Sequence, residues 1–295
     1  MAEVSVEVVA KVENRLGESV LWHAATRTVQ WIDLMRPEIS SLDEAGSVRT
    51  RPLPLPTPLG AIVATSDPGK LVLGWRGGLS VLDMATLALA PLIDPERGRD
   101  GVAFNDCKVD RAGRLWAGSS HEREIETRGC LWCVDAAGSC TLADAGFAVA
   151  NGPAFSPDGR VMYFSDSNAH RILAYDIAAD GRASGRRLFA AFDAADGMPD
   201  GLTVDAEGCP WVAHWAGAKV SRWSPKGERL ASIPVPSVHV TAVAFGGPRL
   251  DTLYIVTARE GADAASLARL PLSGHAFACR PGVTGIVEPL FPLRG

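Results

Sequence analysis

Short apolar runs follow one another along this chain, and glycine, proline and aspartate break them. Few stretches carry the three-and-four spacing of a long amphipathic helix, so the pattern predicts strands joined by tight turns. One arrangement recurs: a strand, a turn containing Asp or Gly, then a strand with an aromatic residue near its middle. The clearest copies are Val109-Asp110-Arg111-Ala112-Gly113-Arg114-Leu115-Trp116, Phe155-Ser156-Pro157-Asp158-Gly159-Arg160-Val161-Met162-Tyr163, and Val204-Asp205-Ala206-Glu207-Gly208-Cys209-Pro210-Trp211. Weaker copies run over 21–33, 62–75 and 243–257. The equivalent positions are Trp31, Val72, Trp116, Tyr163, Trp211 and Tyr254, separated by 41, 44, 47, 48 and 43 residues.

A period of this size is the mark of propeller blades, each a four-stranded sheet. Six periods occupy the chain. The expectation is therefore an all-β protein, a single six-bladed β-propeller domain over 1–295 with four-stranded antiparallel blades. Outer strands are expected over 77–83, 129–135, 171–176 and 220–224. The segment from Glu3 to Glu13 precedes the first inner strand, and it is expected to supply the outermost strand of the last blade, which closes the ring and protects its edges. Gly113, Gly159 and Gly208 suit hairpin turns, and Asp158 reads as a turn former.

The innermost strand of a blade lines the central channel. Counting back 11 to 13 residues from each aromatic position reaches the start of that strand. Glu18 stands there in the first period, Asn105 followed by Asp106 in the third, Asn151 in the fourth and Asp200 in the fifth. The second and sixth place Leu59-Gly60 and Ala242-Val243 there. Two carboxylates and two amides from separate blades would make an oxygen-rich site. Such a site suits calcium, magnesium or manganese and can also hold zinc or iron. No lysine or arginine adjoins any of the four in sequence, and a cation relieves the repulsion between gathered carboxylates.

Composition narrows the picture. With 29 basic against 34 acidic residues and no basic block, nucleic acid is not an expected partner. The opening Met1-Ala2-Glu3-Val4-Ser5 has neither a basic region nor an apolar core, and no apolar run approaches membrane-spanning length. The expectation is a cytoplasmic protein without a membrane partner, a monomer or a weak oligomer. Cys130 and Cys133 resemble a CxxC but lack a second pair, and on a strand they face opposite ways, so free thiols are expected. No Gly-x-Ser-x-Gly elbow, HExxH or Walker motif occurs. His121, His214 and His239 are candidates for the rim of a pocket, with Trp75 and Trp215 near strand ends.

Taken together, Leu16-Gly17-Glu18, Phe104-Asn105-Asp106, Asn151-Gly152-Pro153, Ser165-Asp166-Ser167 and Pro199-Asp200-Gly201-Leu202 resemble the senescence marker protein, regucalcin and gluconolactonase family. The resemblance runs in order over nearly the whole chain. It implies a six-bladed propeller with one catalytic divalent cation that opens sugar lactones to aldonic acids. It implies Glu18, Asn151 and Asp200 as metal ligands and Asn105 as a substrate contact near the metal. On the chemistry, Asp200 is the candidate general base or water-positioning group, touching the metal with one oxygen and a water with the other, or the metal supplies hydroxide directly. Glu122, His121 and His214 are further substrate-binding candidates. The chain departs from the family in carrying Ala103 where an arginine is common, Cys107 after Asn-Asp, and Ser19-Val20 where Gly-Pro is common. Arg99 is a candidate to reach back into the position left by Ala103.

The implied chemistry is ester hydrolysis. The metal polarises the lactone carbonyl and stabilises the oxyanion as water attacks. Two other readings fit the same residues: a metal-dependent esterase or phosphotriesterase on a non-sugar substrate, and a calcium-binding or protein-interaction propeller without catalysis.

Overall fold

The computed structural model describes residues 4–293. Among them, twenty-four strands form six separate four-stranded antiparallel sheets. Each sheet is one blade, and all but the last are built from four strands consecutive in the chain. The inner strands are Gly17–His23, Leu59–Ala64, Val102–Val109, Ala150–Phe155, Met198–Val204 and His239–Gly246, for blades 1 to 6 in turn. Neighbouring inner strands touch around the full ring. Blade 6 is completed by Val6–Ala10, which pairs outside Ala276–Cys279. The first strand thus closes the ring as expected, although Glu3 lies outside the described residues.

The repeat has a direct cause in packing. The aromatic or apolar position falls in every case on the second strand: Trp31 in Thr28–Asp33, Val72 in Lys70–Trp75, Trp116 in Leu115–His121, Tyr163 in Val161–Asp166, Trp211 in Pro210–Trp215 and Tyr254 in Thr252–Ala258. All but Tyr254 are buried. Six apolar clusters fill the six spaces between adjacent blades, so the core is a ring of layers. The aspartate of the repeat ties its turn to the tryptophan that follows. Asp110 accepts the N–H groups of Ala112 and Arg114 through Oδ1 and the Trp116 indole N–H at 2.9 Å through Oδ2. Asp205 does the same for Glu207, Cys209 and Trp211. A buried indole needs an acceptor, and the turn supplies it. Asp158 serves its own turn, accepting from Ser156 and from the Arg160 N–H.

The cysteines are free thiols. Cys130 meets Arg99, while Cys133 packs with Trp116 on the opposite face. Among the described residues the α-helix is the six-residue Ala264–Arg269, and no helix is long and apolar enough to cross a membrane. The segment 284–293 had no periodic signal in the sequence, and it straps one mouth of the channel. It bonds to Ala206 and Leu250 at one end and to Ala64 and Ser66 at the other. Phe291 anchors it in the cluster between blades 2 and 3.

Candidate metal centre

All six inner strands are irregular at one level. In each, the pairing with the second strand slips by one residue: between Glu18 and Leu21, Leu59 and Ala61, Phe104 and Asp106, Asn151 and Ala154, Pro199 and Leu202, and Val240 and Ala242. A bulge adds a residue and re-aims the side chains beside it. Glu18 and Asn151 are the last paired residues before their bulges, whereas Asn105 and Asp200 lie on the bulge itself. The expected positions in these four blades are thus reached, but in two registers.

The side chains at this level interact across blades. Asn105 donates to Asn151 Oδ1 at 2.9 Å and to the Ala150 carbonyl at 3.0 Å. Asn151 donates to Ser167 Oγ, and Ser167 donates in turn to the Pro199 carbonyl beside Asp200. Ser165 donates to the Asp200 carbonyl. Asp106 accepts the Gly152 N–H at 2.8 Å, so blade 3 grips the bulge of blade 4. These bonds link the Asn105, Asn151 and Asp200 segments into one chain over three blades.

Electrostatics joins Glu18 to the same group. Burial holds its carboxyl well above the usual carboxylate range, and the charges of Asp200 and Asp106 push it further. Glu18 is partly exposed, yet protein packs around it closely enough for burial to dominate. Asp200 is raised by burial and then by Asp106 and Glu124. Asp106 is pushed up to about 6, again by burial, against the opposing charge of Lys108.

A divalent cation fits this arrangement. Asp200 Oδ1 is buried without a hydrogen-bond partner. The charges of Asp200 and Asp106 raise Glu18, and that of Asp106 raises Asp200, so the group is held together at a cost that a cation removes. Among the described residues no group of three or more His, Cys, Asp and Glu side chains is placed to hold a metal. A cation here would therefore need a mixed set, with the Asn151 amide oxygen beside the Glu18 and Asp200 carboxylates, a hard oxygen set of the kind that suits such ions.

The other sequence candidates fall elsewhere. Glu122 forms an ion pair with Arg76 at 2.6 Å and is not among the charges acting on the centre. Glu124, two residues on, is the acid whose charge reaches both Glu18 and Asp200. It sits at a left-handed backbone position, φ 58°, in the turn after blade 3's second strand. His121 is buried and bound into that same turn. His214 is fully buried, with Nδ1 on the Asp196 carbonyl and Nε2 on Ser221 Oγ, so both ring nitrogens are spent on the protein and none is left for a substrate. Arg99 does not reach toward Ala103. It is held by Glu96, Cys130 and the Arg128 carbonyl, because Glu96 is a buried carboxylate that also gathers Ser119 and Trp132.

Fold and site together define a six-bladed propeller with an acidic, amide-lined channel mouth. The profile of the SMP-30/Gluconolactonase/LRE-like region matches residues 16–259, and the chain belongs to that family. It is 36% identical over 289 residues to the 6-deoxy-6-sulfogluconolactonase of Pseudomonas putida, covering 97% of this chain and 98% of the relative. It is 30% identical over 287 residues to the L-arabinolactonase of Azospirillum brasilense, covering 96% and 94%. Among solved structures, regucalcin of Agrobacterium tumefaciens, described as a calcium-binding protein, superposes with a TM-score of 0.92 at 28% identity, over 99% of this chain and 100% of that one. Membership of this family supports hydrolysis of the sugar-lactonase type.

Proposed function

We propose that the chain is a divalent-metal-dependent hydrolase that opens a sugar lactone to the aldonic acid. The observation that carries this reading is the buried, unpartnered Asp200 Oδ1 at a channel mouth where the charges of Asp200 and Asp106 raise the Glu18 carboxyl. The two lactonases described above act on sugar lactones by name, which supports the same substrate class.

Glu18, Asn151 and Asp200 are the residues that would hold the cation. When bound, a divalent cation supplies Lewis acidity toward an ester carbonyl and acidifies coordinated water. The chain's own part is positioning and proton transfer. Asn105 fixes the Asn151 amide, so that Oδ1 stays turned toward blade 3 and keeps a second lone pair free. Asp106 fixes the next bulge by its bond to Gly152. Asp200 would face the cation with the unpartnered Oδ1 and can accept a proton from the attacking water at its other carboxylate oxygen. A bound cation would favour its charged form and so temper it as a base. The bond between the acyl carbon and the ring oxygen then breaks. The ring oxygen takes up a proton and leaves as the hydroxyl of the open acid.

The experiment is lactone hydrolysis by purified protein before and after chelation, followed by add-back of calcium, zinc, manganese, magnesium or iron(II). Activity should vanish on chelation and return with at least one ion. Tight metal binding without any rate above buffer would instead support a binding propeller, the reading favoured by the calcium-binding description of the regucalcin structure.

A further inference from the structure

The rings of Trp215 and His239 stack with centroids 4.0 Å apart and planes 17° from parallel. This pair belongs to none of the inter-blade clusters. Trp215 pairs with Met198, two residues before Asp200. His239 lies two residues before Thr241, whose hydroxyl donates to the Gly17 carbonyl next to Glu18. The stack therefore spans the mouths of blades 5 and 6, on the arc between Asp200 and Glu18.

The chemistry of the imidazole is fixed. Nδ1 accepts the Ala216 N–H at 3.0 Å, so the ring proton of the neutral imidazole sits on Nε2. His239 is 5% exposed, and Nε2 is buried with no protein partner. A buried donor without an acceptor is rare in native proteins and asks for an explanation. Gly261 closes over it: a Cβ there would lie 4.0 Å from Nε2 and 3.5 Å from the Trp215 ring. That turn is clasped by Arg15, whose carbonyl accepts the Arg259 and Glu260 N–H groups and whose guanidinium pairs with the Glu260 carboxylate. The Arg15–Glu260 side-chain pair is solvent-exposed and adds little to the two backbone bonds that hold the turn.

We infer that Trp215 and His239 form the part of the site that reads substrate hydroxyl groups. The indole packs on the C–H face of a polyhydroxylated ring, and His239 Nε2–H donates to a hydroxyl once the Gly261 turn yields. This deepens the lactonase reading and rests on it for the place of the reacting ester. A donor with no other acceptor discriminates strongly between a ring that offers an oxygen and one that does not.

The test compares Trp215→Ala and His239→Asn with wild type on D-glucono-1,5-lactone and on δ-valerolactone, the same ring without hydroxyls. Asn keeps an acceptor near Nδ1 but no donor at Nε2. Each variant should lose about tenfold or more in kcat/KM on the gluconolactone, mainly through KM, with less than about a twofold change on valerolactone. Trp215→Tyr, which keeps an aromatic face, should retain most of the preference. Equal losses on both lactones, or none, in variants that unfold at the wild-type temperature would overturn the inference.

Calorimetric titration with 1,5-anhydroglucitol, a hydroxylated ring without an ester, reads the same site without turnover. Binding by wild type that weakens in both variants supports the inference even if no lactone is hydrolysed, in which case the lactonase reading alone fails. No binding by wild type, or unchanged binding in the variants, counts against the inference whatever the rates.

Discussion

Blades 1, 3, 4 and 5 and blades 2 and 6 share one backbone device and put it to different uses. Every inner strand bulges at the channel mouth. In the first group, Glu18, Asn105, Asn151 and Asp200 stand at or beside the bulge. In blade 2 the place is taken by Gly60, where an added Cβ would lie 2.2 Å from the Phe104 carbonyl. In blade 6 it is taken by Thr241, whose hydroxyl serves the Gly17 and Val256 carbonyls. The propeller thus repeats a geometry, and side-chain choice divides the ring into blades that present oxygen atoms and blades that hold their neighbours in place.

The first way to break this division is at Asp200. Asp200→Asn keeps size and one oxygen but removes the base, and the lactonase rate should fall about a thousandfold. Glu18→Gln should lose most activity as well and bind metal more weakly. Steady-state kinetics with metal analysis on both variants checks this. Wild-type rate and metal content in either one would place the chemistry on other residues.

His214 tests whether a presenting blade depends on what stands behind it. It pairs with Pro199, next to Asp200. The Trp223 indole donates to Ser221 Oγ, so that hydroxyl can donate to His214 Nε2, while Nδ1–H donates to Asp196 O. The neutral ring satisfies this chain with every donor and acceptor used. Burial pushes its pKa down to about 4. Unfolded, the imidazole titrates near its ordinary value, so between that value and about 4 the unfolded chain binds more protons. Stability from this group is complete above the ordinary value and is lost as pH falls toward 4, by about 3 kcal/mol at most. Urea unfolding of wild type and His214→Asn at pH 7 and pH 4.5 should show a larger acid loss in wild type. Parallel losses would mean that the ring titrates freely.

On blade 2, Gly60→Ala should cost about 2–3 kcal/mol, because neither Phe104 O nor Gly74 O, both backbone atoms, can move away cheaply. Thermal unfolding measures it. Folded Gly60→Ala protein should retain most of its kcat, since no side chain is lost from the mouth. A folded variant with collapsed kcat would make blade 2 part of the chemistry.

The division was partly legible in the residues. The period stood out because one second-strand position packs between sheets, buried in five blades and half-buried at Tyr254 in the sixth, and burial there selects Trp, Tyr or Val. The mouth was legible because polar residues at the start of a channel-lining strand interrupt that apolar pattern. Register was not: a bulge adds one residue without a sequence mark, so Glu18 and Asp200 could be grouped but not aligned. The choice between Glu122 and Glu124 was likewise invisible, because a left-handed residue in the turn decides which acid approaches the centre. Arg99 looked available from its nearness to Asn105 in sequence, but the buried Glu96 holds it. The strap at 284–293 carries no repeat, and its docking depends on blades far away in the chain.

The smallest expected effect sharpens the comparison most. Thr241 belongs to the holding group, yet it touches the residue that precedes Glu18. Thr241→Val keeps the shape and removes the hydroxyl, leaving the buried Gly17 and Val256 carbonyls without that donor. The stability cost should be about 1–2 kcal/mol. If Thr241 only holds its neighbour, kcat/KM should fall no more than a few-fold and metal affinity should follow it, because the group released is the Gly17 carbonyl, next to Glu18. Chemical denaturation set beside metal titration and lactone kinetics separates the two roles. A large fall in kcat with metal affinity unchanged would show that blade 6 takes part in the reaction itself, and the line between presenting and holding blades would have to be redrawn through Thr241.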